Sequence, residues 1–493
     1  MKAMGETSKD VERRALLMPR RTSPPGDLSP ASLSSHELLY VGIDIGKRTH
    51  VAGFLATTLL ARHQRFEHCP ALSFENSREG FRSLINRMQT FVPLTQVQVL
   101  LEVTGHYHRA VMQYLQDLDI PVYIIHVQKR REGLLKSDKR DALGLANQLY
   151  NQMEKGIQVD DPLHAVRKLA PPTEAAAQLR GMVQHHAELV VESTQRKNKL
   201  TSICDELFPE FTRLLRNPNL PTALALRSRF PTPAHLALAT FAELREARGR
   251  TCSVSDAKLR ELQHLAAHSI GIKDPARVNG LVFEQKQLIA ELKLLGEHLE
   301  QLEQEIVQVV EGSREGKILT SIPGIGPQAA AALIAAIGNI ANFERSAQLK
   351  SYFGWVPKIA QSGSTLDWSR LTPRGVRAMR QTMYLIVWRA IQWDADWKEV
   401  YERLVARKCH MDERTRRLIG REKVIGRLAG QMTSVIYVLL KKDQELLAHL
   451  APGAKPPEPQ LYDPNVHRKH RMGYYQASRS GEKLQSEIQL PSN

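Results

Sequence analysis

The chain has few cysteines and no long apolar run. Its four cysteines, Cys69, Cys204, Cys252 and Cys409, are too far apart for the paired spacing of a zinc ribbon, and no disulfide framework is readable. This usage fits a reducing cytoplasm. No stretch approaches the roughly 18 apolar residues of a membrane span, and the N-terminus lacks the apolar core of a signal peptide. We therefore expect a soluble, cytoplasmic chain that is not exported.

An excess of basic residues favours a polyanionic partner. The 493 residues include 68 Lys or Arg and 52 Asp or Glu, which gives a net charge of +16 and an isoelectric point near 9.7. Basic clusters lie in separate parts of the chain, at Lys129–Arg131, Arg414–Arg427 and His467–Arg471, as a long nucleic-acid path would require. Solvated helix faces and a basic tail explain any one cluster equally well.

The N-terminal third has the pattern of a mixed α/β domain, with elements in the order βββαβαβα. Strands are predicted at Leu38–Ile45, Thr49–Leu55, Leu60–His68, Val97–Val103 and Val122–His126. Helices are predicted at Ser77–Thr90, His106–Leu118 and Asp138–Met153. A mixed sheet with helices on its faces resembles the RNase H or RuvC fold.

Two long helical segments follow. Thr173 can cap a helix that runs toward Phe208. The second segment has apolar residues largely at steps of three and four, which is typical of a coiled coil of about four heptads. These residues are Leu281, Leu288, Leu292, Leu295, Leu299, Leu302, Ile306 and Val309. We expect an antiparallel pair or an oligomerisation arm, with a plain bundle helix as the alternative. Residues 229–274 between them look like a small helical insertion.

Four carboxylates occupy unusual positions. Asp44 and Glu102 lie in otherwise apolar strands, where an unpaired buried carboxylate would cost several kcal/mol. Asp138 and Asp141 are three residues apart at a helix start and face the same way. Together the four predict a site for one or two Mg²⁺ ions, suited to phosphoryl transfer. Taken alone, Asp138 and Asp141 could be ordinary acids at a helix N-terminus.

The segment Ser321–Ala330 resembles a helix-hairpin-helix. Its turn contains Gly324 and Gly326, whose backbone N–H groups could hold a phosphate without reading sequence. The alternative is a packing element in which small residues allow two helices to approach closely.

The string Gln361-Ser-Gly-Ser364 lies in a polar stretch, Lys358 to Thr372, whose placement favours an exposed functional loop. Ser362 and Ser364 could form a simple turn, or one of them could attack phosphorus. Nearby cations could neutralise a phosphodiester: Lys350, Lys358, Arg370, Arg374, Arg377 and Arg380.

These strings together resemble the DEDD transposases of the insertion-sequence 110 type, over about Leu39 to Lys442. The strings are Val41-Gly-Ile-Asp-Ile-Gly46, Leu101-Glu-Val-Thr-Gly105, Asp138-Lys-Arg-Asp-Ala142, Ile322-Pro-Gly-Ile-Gly326, Phe353-Gly-Trp-Val-Pro357, Gln361-Ser-Gly363 and Leu371-Thr-Pro-Arg-Gly375. The resemblance implies that Asp44, Glu102, Asp138 and Asp141 bind metal and that Ser362 links covalently to DNA. Ser364 is the alternative if the loop alignment slips by two residues. Trp355 departs from the smaller aliphatic residue usual there, and the extended termini are unusual for the group.

Composition predicts the two termini, and the residue patterns and the resemblance predict the domains between them and the partners. We expect residues 1–36 to be a flexible extension, 37–160 a RuvC-like catalytic domain, 173–312 a helical and coiled-coil region, 313–445 a helical transposase domain, and 452–493 a flexible basic tail. The implied partners are DNA, a structured bridge RNA, and other copies of the chain as dimers that pair into tetramers.

The predicted function is a Mg²⁺-dependent recombinase that cuts and rejoins DNA in the bacterial cytoplasm, associated with the nucleoid. One alternative is a metal-only RuvC-like nuclease that acts on branched DNA, with Ser362 as a turn residue. Another is a non-catalytic DNA-bridging protein that uses the hairpin motif and the coiled coil.

Overall fold

The computed structural model describes residues 36–103, 105–126, 137–156, 167–168, 170–249, 254–362, 366–371, 375–451 and 453–466. The chain divides into two compact units, Met1–Leu169 and Ala170–Asn493, each with its own apolar core. No helix in the described ranges is both long enough and apolar enough to cross a membrane.

The first unit is built around a six-stranded mixed sheet. The strands are β1 Leu39–Asp44, β2 Thr49–Leu55, β3 Ala71–Glu75, β4 Val97–Val103, β5 Val122–His126 and β6 Arg167–Lys168. Their order across the sheet is β3-β2-β1-β4-β5-β6. The pairs β1/β4 and β4/β5 are parallel, whereas β1/β2, β2/β3 and β5/β6 are antiparallel. The nearly continuous apolar sequences of β1 and β4 suit the buried centre of such a sheet.

Four α-helices accompany this sheet in the described residues. They are α1 Thr57–His63, α2 Arg78–Gln89, α3 His108–Gln116 and α4 Asp138–Glu154. The unit is therefore a mixed α/β fold, as predicted, and it fits the RuvC-like expectation.

The third predicted strand was wrong. Residues Leu60–His68 were expected to be extended, but they contain most of α1 and a 3₁₀ turn at Phe66–His68. Helix α1 buries Leu59 and ends at His63, and its C-cap Gln64 adopts a left-handed conformation with φ of 62°. The true third strand is β3, where Phe74 is the only fully buried residue, so its apolar signal is weaker than that of the preceding helix.

The second unit is mainly helical. Its helices are α5 Glu174–Leu207, α6 Pro209–Leu214, α7 Pro221–Arg229, α8 Pro233–Leu238, α9 Phe241–Arg248, α10 Asp256–Ala267, α11 Pro275–Gly312, α12 Arg314–Thr320, α13 Pro327–Ile337, α14 Ser346–Tyr352, α15 Arg377–Trp393, α16 Ala395–Lys408 and α17 Arg421–Ala448. Two small antiparallel sheets complete the described part of the unit. They are formed by β7 Pro357–Ser362 with β8 Leu366–Leu371, and by β9 His410–Met411 with β10 Leu418–Ile419.

The two long helices α5 and α11 pack against each other in antiparallel orientation. A hydrogen bond joins His186 to Glu303, and ion pairs join Arg196 to Glu291 and Arg277 to Glu206. Positions later in α5 therefore meet earlier positions in α11. Buried leucines of the predicted heptads lie between them. The antiparallel pair is one of the two arrangements expected from the sequence, whereas a true coiled-coil geometry stays a prediction.

A small helical insertion lies between α5 and α11 in the sequence. It consists of α6 to α10 and has its own apolar core, which includes Phe211, Leu226, Leu244 and Leu262. The insertion expected at residues 229–274 therefore begins earlier in the structure, at Pro209.

Arg227 connects this small unit to the long helices. Its guanidinium is buried, with 4% exposure, and donates to Gln285 Oε1 at 2.7 and 3.0 Å. It also donates to the carbonyl oxygens of Leu200 at 2.7 Å and Pro218 at 3.2 Å. Burial lowers the pKa of Arg227, because removal from bulk solvent disfavours the charged form. This network fixes α7 against both α5 and α11.

Residues 453–466, at the start of the predicted flexible tail, contact α12 and the residue that follows it. The Pro457 carbonyl oxygen accepts a hydrogen bond from Arg314 at 2.7 Å, and the Tyr462 N–H donates to Ser321 Oγ at 2.9 Å. Pro459 is buried. Four prolines in this segment restrict the backbone, which lowers the entropy lost when it packs. The predicted flexible N-terminal extension and the rest of the tail lie outside the described residues.

Candidate functional site

The sheet brings two of the predicted carboxylates together. Asp44 is the last residue of β1, and Glu102 lies one residue before the end of β4. The parallel register pairs Ile43 with Leu101, so Asp44 and Glu102 are the next neighbours at the carboxyl ends of the two strands. Both are partly exposed. Adjacent residues in a parallel register face the same side of the sheet, so the two carboxylates share one face.

Two glycines place the other pair of carboxylates beside them. Helix α4 lies directly on β1 and β2, because a Cβ on Gly42 would be 2.2 Å from the Ala142 carbonyl oxygen, and one on Gly53 would be 2.7 Å from an α4 backbone nitrogen. Asp138 and Asp141 occupy the turn of α4 that precedes Ala142. Asp141 is buried and Asp138 is exposed. Direct contact between helix and strands thus determines where the two aspartates lie.

The electrostatics of Asp44 reflect this convergence. Burial, followed by repulsion from Asp141, Asp138 and Glu102, raises the pKa of Asp44 above its usual range, while a hydrogen bond from the Ile45 backbone opposes the shift. All four predicted carboxylates are therefore electrostatic neighbours. Among the described residues, however, no three Asp, Glu, His or Cys side chains form a group already arranged to hold a metal ion. The carboxylates converge without the close spacing of a preformed ligand set.

A basic cleft of about 300 Å³ opens at the first turn of α4. Its lining residues are Arg65, Glu67, His68, Ser137, Lys139 and Arg140. Ser137 Oγ caps the helix by accepting from the Arg140 N–H at 3.3 Å, and Arg140 contacts Glu67 at 3.4 Å. Sequence reasoning missed this cleft, although Lys139 and Arg140 lie within the predicted acidic string.

The predicted hairpin motif lies between α12 and α13. Gly324 has φ of +84°, and a Cβ there would lie 2.5 Å from the Ile386 carbonyl oxygen of α15. Glycine is thus needed at this position for backbone conformation and for close packing. Gly326 is the N-cap of α13, and a Cβ on it would have no atom within 4 Å. The packing alternative therefore explains Gly324, whereas the surroundings of Gly326 leave space for a ligand.

Ser362 is the last residue of β7, where it pairs with Leu366 of β8. The expected exposed loop is therefore largely a β-hairpin. Ser364 and Arg374 lie outside the described residues, as do the side chains of Ser362, Lys358 and Arg370.

Three further predicted cations are described. Lys350 is partly buried in α14, and Arg377 and Arg380 lie in the first turn of α15, where Arg377 is exposed. That turn contains no acidic residue. Two arginines at the positive end of a helix dipole are unfavourable by themselves and favourable beside an anion.

Two transposase family models match the chain. Residues 41–209 match a transposase family of the IS110 type with a DEDD domain, and residues 316–402 match the family described as Transposase IS116/IS110/IS902. The chain is 25% identical over 414 residues to the 43.6 kDa protein of insertion element IS110 from Streptomyces coelicolor, covering 82% of this chain and 94% of that protein. It is 23% identical over 265 residues to the 44.8 kDa protein of insertion element IS116 from Streptomyces clavuligerus, covering 52% and 61%.

The fold and these matches define a DNA transposase of an insertion sequence. The chain belongs to the IS110 type of DEDD transposases.

Proposed function

We propose that this transposase cleaves and rejoins DNA with a metal-binding acidic tetrad and a serine nucleophile. The tetrad is Asp44, Glu102, Asp138 and Asp141, and the nucleophile is Ser362. The observation that supports the proposal is the convergence of all four carboxylates at one end of the sheet, where burial and then repulsion from the other three raise the pKa of Asp44.

The donor set suits Mg²⁺. All four side chains offer carboxylate oxygens, which this ion prefers, and their mutual repulsion is the kind that a cation relieves. Bound Mg²⁺ would stabilise charge on the phosphate and lower the pKa of an attacking hydroxyl. Asp44 and Glu102 hold fixed positions at two strand ends, while Asp138 and Asp141 follow the position of α4.

Ser362 takes the phosphate from DNA in this scheme. Its Oγ attacks phosphorus, the bond from phosphorus to the departing deoxyribose oxygen breaks, and the serine proton passes to that oxygen. The phosphoserine ester conserves the phosphodiester, so a DNA hydroxyl can reverse the step on a new partner and release the serine. Hydrolysis by water would lose this possibility of rejoining.

Basic side chains and the backbone N–H groups of one turn bind the nucleic acid backbone in this proposal. We assign this role to Gly324 and Gly326 through their turn, and to Lys350, Lys358, Arg374, Arg377 and Arg380. The arginines in the first turn of α15 and the open surroundings of Gly326 support the assignment. The basic cleft at α4 adds a place for a phosphate next to the acidic group.

A structured bridge RNA and further copies of the chain complete the proposal. The RNA selects donor and target DNA, and dimers pair into tetramers, as the family resemblance implies. Exposed apolar side chains on the long helices support self-association, since Val191 is 55% and Leu294 is 52% exposed.

One experiment tests the chemistry. The full-length protein is incubated with Mg²⁺, DNA of the element end and RNA from the flanking element, and protein-linked DNA is mapped by peptide mass spectrometry. We expect the adduct on Ser362, and Ser362→Ala should lose adduct and strand exchange while keeping nucleic-acid binding. Attachment at Ser364 would shift the assignment by two residues. Full strand exchange by the Ser362→Ala, Ser364→Ala double variant would refute serine chemistry and favour the metal-only nuclease.

A second experiment tests the acidic tetrad. Alanine in place of Asp44, Glu102, Asp138 or Asp141 should abolish cleavage and leave the fold largely intact. Glu79→Ala is the matched control for Asp138→Ala, because Glu79, like Asp138, is an exposed acid in the first turn of a helix of the same unit. Unimpaired cleavage in two of the four variants would contradict the tetrad.

A further inference from the structure

The hairpin formed by β9 and β10 projects basic side chains between α16 and α17. Met411 pairs with Leu418, and His410 pairs with Ile419. The tip is fixed by its own hydrogen bonds: the Asp412 N–H donates to the Arg417 carbonyl oxygen at 3.0 Å, and the Arg416 N–H donates to the Asp412 carbonyl oxygen at 2.8 Å. The tip is therefore an ordered turn.

The base of this hairpin is also fixed. Gly420 has φ of +96°, and a Cβ there would lie 2.9 Å from the Lys408 carbonyl oxygen, so the two ends of the hairpin are in close contact. Arg421 lies 4.3 Å from the centre of the Trp388 ring and donates to the Tyr401 hydroxyl at 2.9 Å. An ordered tip on an anchored base presents its side chains in a defined geometry.

Positive charge dominates the hairpin and its flanks. Between Arg407 and Arg427 the sequence contains eight Lys or Arg and only three Asp or Glu. Arg414, Arg416 and Arg417 are exposed, and no ion pair within the described residues involves them. The nearby cations of Arg427 and Arg407, together with burial, lower the pKa of Lys408. Such a concentration of like charge is favourable only beside a polyanion.

The hairpin also carries exposed apolar groups on its two faces. Met411 is 60% exposed and Leu418 is 37% exposed on one face, and Ile419 is 46% exposed on the other. A two-stranded ribbon with basic residues at its tip and apolar residues on its sides matches the major groove of B-form DNA, which admits such a ribbon. The deep and narrow major groove of double-stranded RNA does not.

We propose that the β9–β10 hairpin inserts into a groove of double-stranded DNA, with Arg414, Arg416 and Arg417 contacting phosphates. The inference rests on the proposed action on DNA and adds a contact surface to it. The hairpin lies beyond residues 316–402, which match the transposase family.

The test removes the three tip charges from the full-length protein. Arg414→Gln, Arg416→Asn and Arg417→Gln are combined, and asparagine is used at position 416 because Arg416 has φ of 51° and asparagine tolerates that conformation. The matched control combines Lys273→Gln, Lys286→Gln and Lys293→Gln, which removes three exposed charges at and near α11. Binding is measured over a salt series with a DNA duplex of about 25 base pairs and an RNA duplex of the same sequence.

The tip variant should lose at least about tenfold in DNA affinity, and the slope of log affinity against log salt should fall by about 2.7, since each phosphate contact contributes about 0.9. RNA-duplex affinity, and DNA affinity of the control, should change less than about threefold. Equal losses in both triple variants, or equal losses for DNA and RNA, would overturn the proposal. So would an unchanged DNA affinity in a tip variant that unfolds at the wild-type temperature.

A second variant addresses the apolar sides. Met411→Ser with Leu418→Ser keeps every charge and should still weaken DNA binding several-fold, whereas wild-type affinity would contradict insertion. Formation of the covalent adduct at saturating protein separates this proposal from the catalytic one. If the wild-type protein forms the adduct and the tip variant binds DNA with wild-type affinity, the proposed DNA contact of the hairpin is refuted and the serine chemistry is not. If the tip variant loses DNA affinity and the wild-type protein forms no adduct, the hairpin contact is supported and the serine chemistry is refuted.

Discussion

Replacing Gly42 with alanine should displace the helix that carries two of the proposed catalytic aspartates. The new Cβ would lie 2.2 Å from the Ala142 carbonyl oxygen, 2.3 Å from the Ala146 nitrogen and 2.7 Å from the Leu145 Cβ. Contacts of carbon with these atoms normally begin above 3 Å, so α4 must move away from β1 by about 1 Å. Backbone atoms of a packed helix cannot yield separately, and the whole first turn must follow.

The cost can be approximated from known core substitutions. Overpacking of this kind destabilises a protein by about 1 to 3 kcal/mol. For a unit of this size that corresponds to a fall in unfolding temperature of about 3 to 10 °C. Because Asp138 and Asp141 move with α4, a displacement of about 1 Å should also reduce cleavage on the order of 100-fold in the molecules that remain folded.

The matched control is Gly144→Ala, on the same helix. A Cβ there meets no atom within 4 Å, so alanine should raise stability slightly, by up to about 1 kcal/mol, through its helix propensity. Thermal unfolding followed by circular dichroism and Mg²⁺-dependent cleavage would be measured for both variants. If Gly42→Ala unfolds and cleaves like wild type, α4 does not rest directly on β1, and the reasoning that places its two aspartates fails.

Three further predictions follow from buried polar groups. Asp44→Asn should abolish cleavage and raise the free energy of unfolding of the metal-free protein at neutral pH, because the raised pKa of Asp44 means that its ionised form is disfavoured in the folded state. Below about pH 4 the carboxyl is protonated in both states, so the gain measured by urea titration should vanish. His50 is fully buried against Phe74, and burial lowers its pKa. The unfolded chain therefore binds a proton first, and the free energy of unfolding should decrease as pH falls below about 6.5. The free energy of unfolding of His50→Leu should depend less steeply on pH between about 7.5 and 5.5, and parallel curves for variant and wild type would argue against a neutral buried imidazole. Arg227→Met should lower the free energy of unfolding by about 3 to 5 kcal/mol in denaturant titrations, because Gln285 and two carbonyl oxygens lose their donor. If Arg227 and Gln285 act as one network, the double variant Arg227→Met, Gln285→Leu should lose no more stability than Arg227→Met alone.

The strands that position the site could be predicted because their sequences carry two signals at once. In β1 and β4 a nearly unbroken apolar run indicates a buried strand, and a single carboxylate near the end of each run, Asp44 and Glu102, contradicts burial unless it has a function. The place of Asp138 relative to them follows from α4, which the helix prediction located correctly. What the sequence could not indicate was the contact that holds α4, because a glycine such as Gly42 reads as a flexible residue until its neighbours are known.

Other features depended on contacts distant in sequence. Leu60–His68 has the apolar content of a strand, but Leu59 and its neighbours bury one side of a short helix instead. The polar stretch containing Ser362 looked like a loop because hairpin pairing is a property of two segments, and its alternation is weak in each. The tip of the β9–β10 hairpin reads as a solvated charge run, and only the pairing of Met411 with Leu418 shows that the charges are displayed on an ordered ribbon.

Charge is concentrated with opposite signs in the two units, and each concentration requires a different kind of partner. Around Asp44, burial and the repulsion of three neighbouring carboxylates raise a pKa, which favours a small cation with oxygen ligands. The cations nearest in sequence, Lys139 and Arg140, line the adjacent basic cleft. The basic hairpin around Arg416 spreads its charge along an extended ribbon, which a compact anion could not neutralise but a regularly spaced phosphate backbone could. Under the proposed function, metal binds the acidic group and DNA binds the hairpin, and the phosphodiester of DNA is a group that Mg²⁺ ligates in phosphoryl transfer. We therefore expect the two charge distributions to serve one reaction on DNA.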